Sequence, residues 1–316
     1  MSGSQAPGHN HGRSSAAMVS IVSNTCLITL KLFAGAVTGS VAILTEAIHS
    51  SVDLIASFIA FFSVRQAEEP ADAEHRYGHE KFENVAAAAE GVLILVGAGV
   101  IIYASAHALV QGTHLESLGF GIAVVAFASL VNLLVSAWLF RRARQTDSPA
   151  LEADAAHLRT DAYTSLGVLV GLALVHWTGW NWLDPAVALM IAGAIVVTGL
   201  KLVTRSWRVL VDEALPDDEL AAIREAIAEF GHSEVVGYHQ LRTRRAGARR
   251  YVDLHLQFRA GTTLEAAHAI AHQLQDSIAQ RLRGADVLIH LEPEDKVRED
   301  PMGDPPVLLD RPRIRR

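Results

Sequence analysis

The sequence predicts a polytopic α-helical membrane protein: six transmembrane helices followed by a small cytoplasmic α+β domain of order α-β-β-α-β. Two observations carry this. Half of the 316 residues are hydrophobic and only 19% are charged, and the apolar residues gather into stretches close to the ~20 residues a helix needs to cross a hydrocarbon core. Beyond Arg208 these stretches stop, and the shorter amphipathic and alternating patterns of a water-exposed domain replace them.

The six stretches run Ala16 to Val37, Val41 to Val64, Val85 to Val110, Ser117 to Phe140, Ala162 to Trp177 and Pro185 to Thr204. The fifth is short unless its helix starts near Ala155 and carries polar residues into the membrane. Asp184-Pro185 reads as an N-cap with proline in the first helical position. Gly35 with Gly39, and Gly167 with Gly171, suit close helix contact. In the soluble part, Asp217 to Phe230 has the spacing of an amphipathic helix, with Leu220, Ile223, Ile227 and Phe230 on one side. Val235 to Arg242 and Arg250 to Phe258 read as strands about a turn at Ala246-Gly247-Ala248. Thr262 to Leu282 reads as a second helix and Asp286 to Leu291 as a third strand. The expected organisation is a disordered tail over 1–13, a six-helix membrane domain over 14–207, the α+β domain over 208–294 and a disordered tail over 295–316.

Lys and Arg favour short cytoplasmic loops. They occur between spans two and three (Arg65, Arg76, Lys81), beside the connection from four to five (Arg141, Arg142, Arg144, Arg159) and after six (Arg205, Arg208). They are missing from the loops at Thr38 to Ser40, Gln111 to Glu116 and Thr178 to Asp184. Both termini are therefore expected in the cytoplasm. The net charge of −7 gives no basic surface for nucleic acid, and the single cysteine, Cys26, leaves metal chemistry to the 15 histidines and the carboxylates.

Two polar constellations interrupt the apolar spans. His49-x-x-x-Asp53 lies in span two and His157-x-x-x-Asp161 at the start of span five. A separation of four residues puts each pair on one helix face, one turn apart, so two facing helices present two imidazoles and two carboxylates to one point. That set suits a tetrahedral Zn2+ ion, whose double charge two ionised aspartates cancel; magnesium and manganese prefer more oxygen donors. The alternative is an interhelical hydrogen bond, but an intramembrane Asp costs ~2.5–3.5 kcal/mol on insertion scales, which makes two matched pairs hard to assign to structure alone. Glu46 and Asp154 read as mouth or capping residues, and Glu90 and Lys31 fit paired structural charges as well as functional ones. The loop Asp72-x-x-His75-x-x-x-His79 offers three donors that converge if it folds back on itself; solvated surface histidines are the bland alternative.

With these pairs, six spans and a C-terminal α+β domain, the chain resembles the cation diffusion facilitators, particularly bacterial zinc and iron efflux members. The resemblance runs from about Ala16 to Pro293. It is supported by Pro70-Ala71-Asp72, Tyr77-Gly78-His79-x-Lys81-x-Glu83, Asp212-x-Ala214-Leu215-Pro216 and His239-x-Leu241-Arg242-Thr243-Arg244. It implies a multi-pass homodimer in the bacterial inner membrane, in contact with lipid, exporting divalent metal in exchange for H+. It further implies a cytoplasmic zinc site at Asp72, His75 and His79, and a two-zinc site bridging the dimer's cytoplasmic domains from His239, His255, His268, His290 and Glu292. An ion pair of Lys81 with Asp212 is implied at the hinge. His49 stands where several members carry Asp, which agrees with a zinc preference, and Glu292 stands where members carry Asp. The alternatives are broader Cd2+, Co2+ or Fe2+ export, a metal sensor without transport, and a membrane metalloenzyme. Against the last, no His-Glu-x-x-His or Gly-x-Ser-x-Gly motif occurs, and a filled tetrahedral shell leaves no open position for an activated water.

Overall fold

The computed structural model describes residues 11–38, 41–111, 119–180, 182–231, 234–295 and 307–309. The chain divides into two compact units, Met1–Trp207 and Arg208–Arg316.

The first unit contains six long helices among the described residues: α1 (His11–Thr38), α2 (Val41–Ala67), α3 (Lys81–Gln111), α4 (Gly119–Thr146), α5 (Pro149–Thr178) and α6 (Leu183–Leu210). Among the described residues, three segments are long and apolar enough to cross a membrane by length and composition: Arg13–Phe33, Lys81–Val110 and Pro185–Leu210. The first turns of α5 carry Glu152, Asp154, His157, Arg159 and Asp161, and the end of α4 carries Arg141, Arg142 and Arg144, which lowers the mean apolarity of both. Large apolar side chains on the outside, among them Phe33, Phe62, Val100, Leu134 and Met190, are exposed. This is the surface that lipid rather than water would cover.

Small residues set the helix spacing. A Cβ on Gly91 of α3 would stand 2.7 Å from Val203 Cγ2 of α6, and one on Gly199 of α6 would stand 2.8 Å from Leu95 Cγ of α3. The two backbones meet at this pair. Gly167 is likewise filled by Ile191 of α6, so its small size serves a contact within the chain; Gly39 and the surroundings of Gly35 lie outside the described residues.

Several boundaries differ from expectation. Helix α1 begins at His11, inside the expected tail, and Arg13 reaches Glu83 Oε1 of α3 at 2.9 Å. A buried carboxylate therefore holds residues whose polarity alone suggested disorder. Ser148 also bonds Glu83 and accepts from Leu151 N, so Ser148-Pro149 starts α5 well before its apolar run. Asp184 lies within the first turn of α6 rather than before it.

The second unit is a two-layer α+β domain. Its elements are α7 (Asp217–Ala228), β1 (Val235–Ala246), β2 (Arg249–Phe258), α8 (Leu264–Arg281), β3 (Ala285–Pro293) and β4 (Val307–Leu308). The sheet order is β3-β2-β1-β4: β1 and β2 form an antiparallel hairpin about Gly247 at φ +53°, whereas β3 returns parallel to β2 through α8. Alternation along the strands sends Val252, Leu254 and Leu256 to one face, where they pack with Ile223 and Ile227 of α7 and Leu274 and Ile278 of α8. Strand β4 adds a fourth strand to the expected three, formed by Val307 and Leu308 within the stretch expected as a tail. It pairs with the open edge of β1 at Gly237 and Tyr238, and a Cβ on Gly237 would stand only 2.8 Å from Val307 O.

Arg250 ties the layers together. It donates to both oxygens of Glu219 (2.8 and 3.1 Å) and to the carbonyls of Ala248 and Arg283 (3.0 and 3.1 Å), and it is buried. Arg250→Ala is expected to destabilise the domain by about 3 kcal/mol, because Glu219 and two carbonyls lose their partner. In the full chain this should speed hydrogen exchange of the β2 amides about a hundredfold; unchanged exchange would refute it.

Candidate metal centres

On α5, His157 and Asp161 lie one turn apart, with Nε2 3.8 Å from Asp161 Oδ2; His157 is buried and Asp161 nearly so. Helix α2, which carries His49 and Asp53, packs against α5. The side chains of Glu46, His49 and Asp53 lie outside the described residues. Around the α5 pair the interior is unusually polar. Asp154 is fully buried, and its Oδ1 accepts from Ser20 of α1 (3.1 Å) and Ser57 of α2 (3.2 Å). Asn24 completes the cluster by donating to Ser57 at 2.8 Å. Asp154 is therefore a buried link among three helices, not a mouth residue. Glu90 of α3 is also fully buried, its oxygens have no hydrogen-bond partner among the described residues, and its electrostatic neighbours are Asp154 and His157. It does not behave as half of a structural ion pair. Lys31 donates to Ser50 Oγ at 2.6 Å.

The loop between α2 and α3 folds back as one of its two readings requires. Asp72 Oδ1 accepts from the backbone N–H of Glu74 (2.9 Å) and of His75 (2.6 Å), closing an Asx turn. Gly78 at φ +91° then bonds back to His75 O and swings His79 toward the carboxylate. His75 Nδ1 stands 3.5 Å from Asp72 Oδ1, and His79 Nε2 stands 3.4 Å from Oδ2. The three residues offer ligand atoms within 4.8 Å of one another. The His75 N–H holds the Asp72 carboxyl below its ordinary 3.8; desolvation opposes this, and the Glu74 N–H and the two imidazoles add to it. His79 is buried, and its Nδ1 has no hydrogen-bond partner among the described residues. An ionised carboxylate and two imidazoles at this spacing fit a divalent ion.

In the second unit the sheet register builds a third group. His239 of β1 pairs across from His255 of β2, which pairs across from His290 of β3, so the three imidazoles form a row on the face opposite the helices. The ring centroids are 4.9 and 4.6 Å apart. Glu292, two residues beyond His290 and on the same face of β3, accepts from His239 Nε2 on Oε2 and from His255 Nδ1 on Oε1, both at 2.9 Å. His290 Nε2 is 3.5 Å from Oε1. Burial alone would raise the Glu292 carboxyl, but the two histidine hydrogen bonds outweigh it and leave it below its ordinary 4.5. A β-bulge follows His239, with Gln240 at φ +50°. His239, His255 and Glu292 offer ligand atoms within 4.8 Å of one another.

Comparison with known proteins matches residues 17–211 to the cation efflux transmembrane domain and residues 215–294 to the cation efflux protein cytoplasmic domain. The chain belongs to the cation diffusion facilitator family. Curated relatives include the uncharacterized transporter sll1263 of Synechocystis, 36% identical over 88% of this chain and 89% of that one. The cation-efflux pump FieF of Yersinia pestis is also 36% identical, over 84% and 88% of the two chains. Among solved structures, the zinc form of the transporter CzrB is 37% identical over 28% of this chain and 98% of that one, with a TM-score of 0.26. This facilitator is thus a cation efflux transporter of the membrane and not an enzyme, with a transmembrane domain and a cytoplasmic domain built on a mixed sheet.

Within a single chain of the facilitator, one expected ligand stands apart from the others. His268 does not join His239, His255, His290 and Glu292 within its own chain. It projects from α8, one position after buried Ala267 and on the helical side of the sheet, whereas the histidine row occupies the other side. Within the second unit, Asp212 Oδ1 accepts from Arg244 Nη1 at 3.4 Å. The polar residues that sequence reasoning underweighted are Ser20, Ser57 and Glu90. Only Glu90 carried a signal, as a lone acid in an otherwise apolar run.

Proposed function

We propose that this facilitator spans the membrane six times and exports Zn2+ from the cytoplasm in exchange for H+, through a site formed by His49 and Asp53 of α2 with His157 and Asp161 of α5. The observation that carries this reading is the paired His157 and Asp161, buried one turn apart within a cation efflux domain. Two neutral imidazoles and two carboxylates cancel the charge of one zinc ion and fill its shell. Their protonated forms do not bind metal, so protons arriving from the opposite side compete zinc off, and neutralised carboxylates lower the cost of returning empty. The protein works as a homodimer of the bacterial inner membrane with both termini in the cytoplasm. The Asp72–His75–His79 and His239–His255–Glu292 groups bind cytoplasmic zinc, and by stabilising one arrangement of the dimer they link zinc level to transport.

Reconstituted protein assayed with Zn2+, Cd2+, Co2+ and Fe2+ at two pH gradients tests the reading. Zinc flux should rise with the gradient and exceed iron flux. Flux indifferent to the gradient would remove the antiport, and faster iron than zinc transport would remove the zinc preference.

A further inference from the structure

The outer side of the first unit holds a groove of about 500 Å³ between α5 and α6. Leu166, Val170, Met190 and Ala194 wall it, and Arg159, Tyr163 and Thr198 lie at the end nearer the start of α5. The Arg159 guanidinium sits over the ring of Phe140 of α4, 4.1 Å from its centroid, and has no hydrogen-bond or ion-pair partner among the described residues. Two turns nearer the start of α5, Glu152 neutralises Arg205 of α6 at 2.7 Å. Among the described residues no carboxylate lines the groove to do the same for Arg159. Lys201, three residues beyond Thr198, falls on the same face of α6 and is exposed, so it adds a second positive charge at that end.

We propose that this groove binds one anionic phospholipid, with its phosphate on Arg159 and Lys201 and an acyl chain along Leu166, Val170, Met190 and Ala194. The proposal rests on the membrane reading of this unit. A positive charge at membrane depth is costly without a counter-ion, and a lipid phosphate removes that cost; a guanidinium grips two phosphate oxygens in one plane. Length agrees with a lipid rather than a free anion. From Arg159 to Val170 the helix rises about 17 Å, close to the ~15 Å hydrocarbon depth of one leaflet. The apolar wall therefore runs as far as an acyl chain does. A zwitterionic lipid brings its own cation toward Arg159 and Lys201 and binds less tightly. The bound lipid touches both α6 and the helix that carries His157 and Asp161, so its occupancy bears on how that helix is held.

Full-length protein in detergent, mixed with equal amounts of phosphatidylglycerol and phosphatidylcholine of the same acyl chains, tests this by native mass spectrometry of the bound lipid. Phosphatidylglycerol should predominate. Arg159→Ala and Arg159→Gln should each lower its affinity by at least about fivefold and leave phosphatidylcholine unchanged, whereas Arg159→Lys should keep most of the preference. Ala194→Trp, which fills the apolar wall, should weaken phosphatidylglycerol with Arg159 still in place, and millimolar glycerol phosphate should not displace it. An unchanged preference for phosphatidylglycerol in both Arg159→Ala and Arg159→Gln would overturn the proposal. So would displacement by glycerol phosphate, which would make this a site for a soluble phosphate. Loss of self-association in Ala194→Trp with lipid binding intact would also overturn it, since the groove would then be a contact between copies of the chain. Failure of the membrane reading would show separately, as protein washed from reconstituted vesicles by alkaline carbonate.

Discussion

Replacing Asp161 by alanine is expected to reduce gradient-driven zinc flux in proteoliposomes to the level of protein-free vesicles. His157 and Asp161 are 3.8 Å apart and largely shielded from solvent, so an ion bound between them would depend on protein carboxylates rather than water for neutralisation. Two aspartates make a neutral zinc complex; one leaves a net positive charge inside the membrane. Insertion scales put an uncompensated charge there at about 2.5–3.5 kcal/mol, which is about a hundredfold in affinity before the lost bond is counted. Asp53→Ala should match it, whereas Asp276→Ala, on the exposed face of α8, should transport normally. Flux within twofold of the unmodified protein in Asp161→Ala would exclude that residue from the transport path.

The second large effect concerns Glu292. One carboxylate bridges His239 and His255 at 2.9 Å each with His290 at 3.5 Å, so Glu292→Ala takes from three imidazoles the carboxylate they share. Zinc binding at this centre should weaken at least a hundredfold, measured by dialysis against competing chelator on the full chain, while the Asp72 centre retains its ion. The metal-free protein should also lose stability, because His239 is buried and its Nε2 is left without an acceptor, a cost of about 1–3 kcal/mol. The pH dependence has a definite sign. A carboxyl lowered in the folded state contributes fully above its ordinary value of 4.5, and the contribution disappears as pH falls through the lowered value. The difference in unfolding between Glu292→Ala and the unmodified protein should therefore be full at neutral pH and shrink below 4.5. A difference that persists unchanged at lower pH would show that the carboxylate charge is not its source.

The centres were legible to different degrees for a physical reason. His157 and Asp161 are four residues apart on a helix, so their meeting follows from helical pitch. Asp72, His75 and His79 are nearly as local, yet spacing left them open: convergence required the Asx turn at Asp72 and the positive φ of Gly78. His239, His255 and His290 are dispersed, and nothing in their spacing shows that strand register puts them side by side. His268 has the same residue type and falls between them in sequence, but α8 carries it to the other side of the sheet. Asp154 looked like a boundary residue because it precedes the apolar run of α5; Ser148 and Pro149 start that helix earlier and draw Asp154 inward to Ser20 and Ser57.

By itself the sequence determined the apolar segments, the change of character after Arg208, the four-residue pairing of His with Asp and a donor chemistry suited to zinc, because each depends on composition or on neighbours within about one helical turn. Tertiary structure alone decided which distant side chains share a point: register collected three histidines around Glu292, helix packing buried Glu90 and Asp154 beside His157, and the two faces of one sheet separated His268 from the row. Those outcomes depend on pairing and facing between elements far apart in the chain, which local periodicity does not encode.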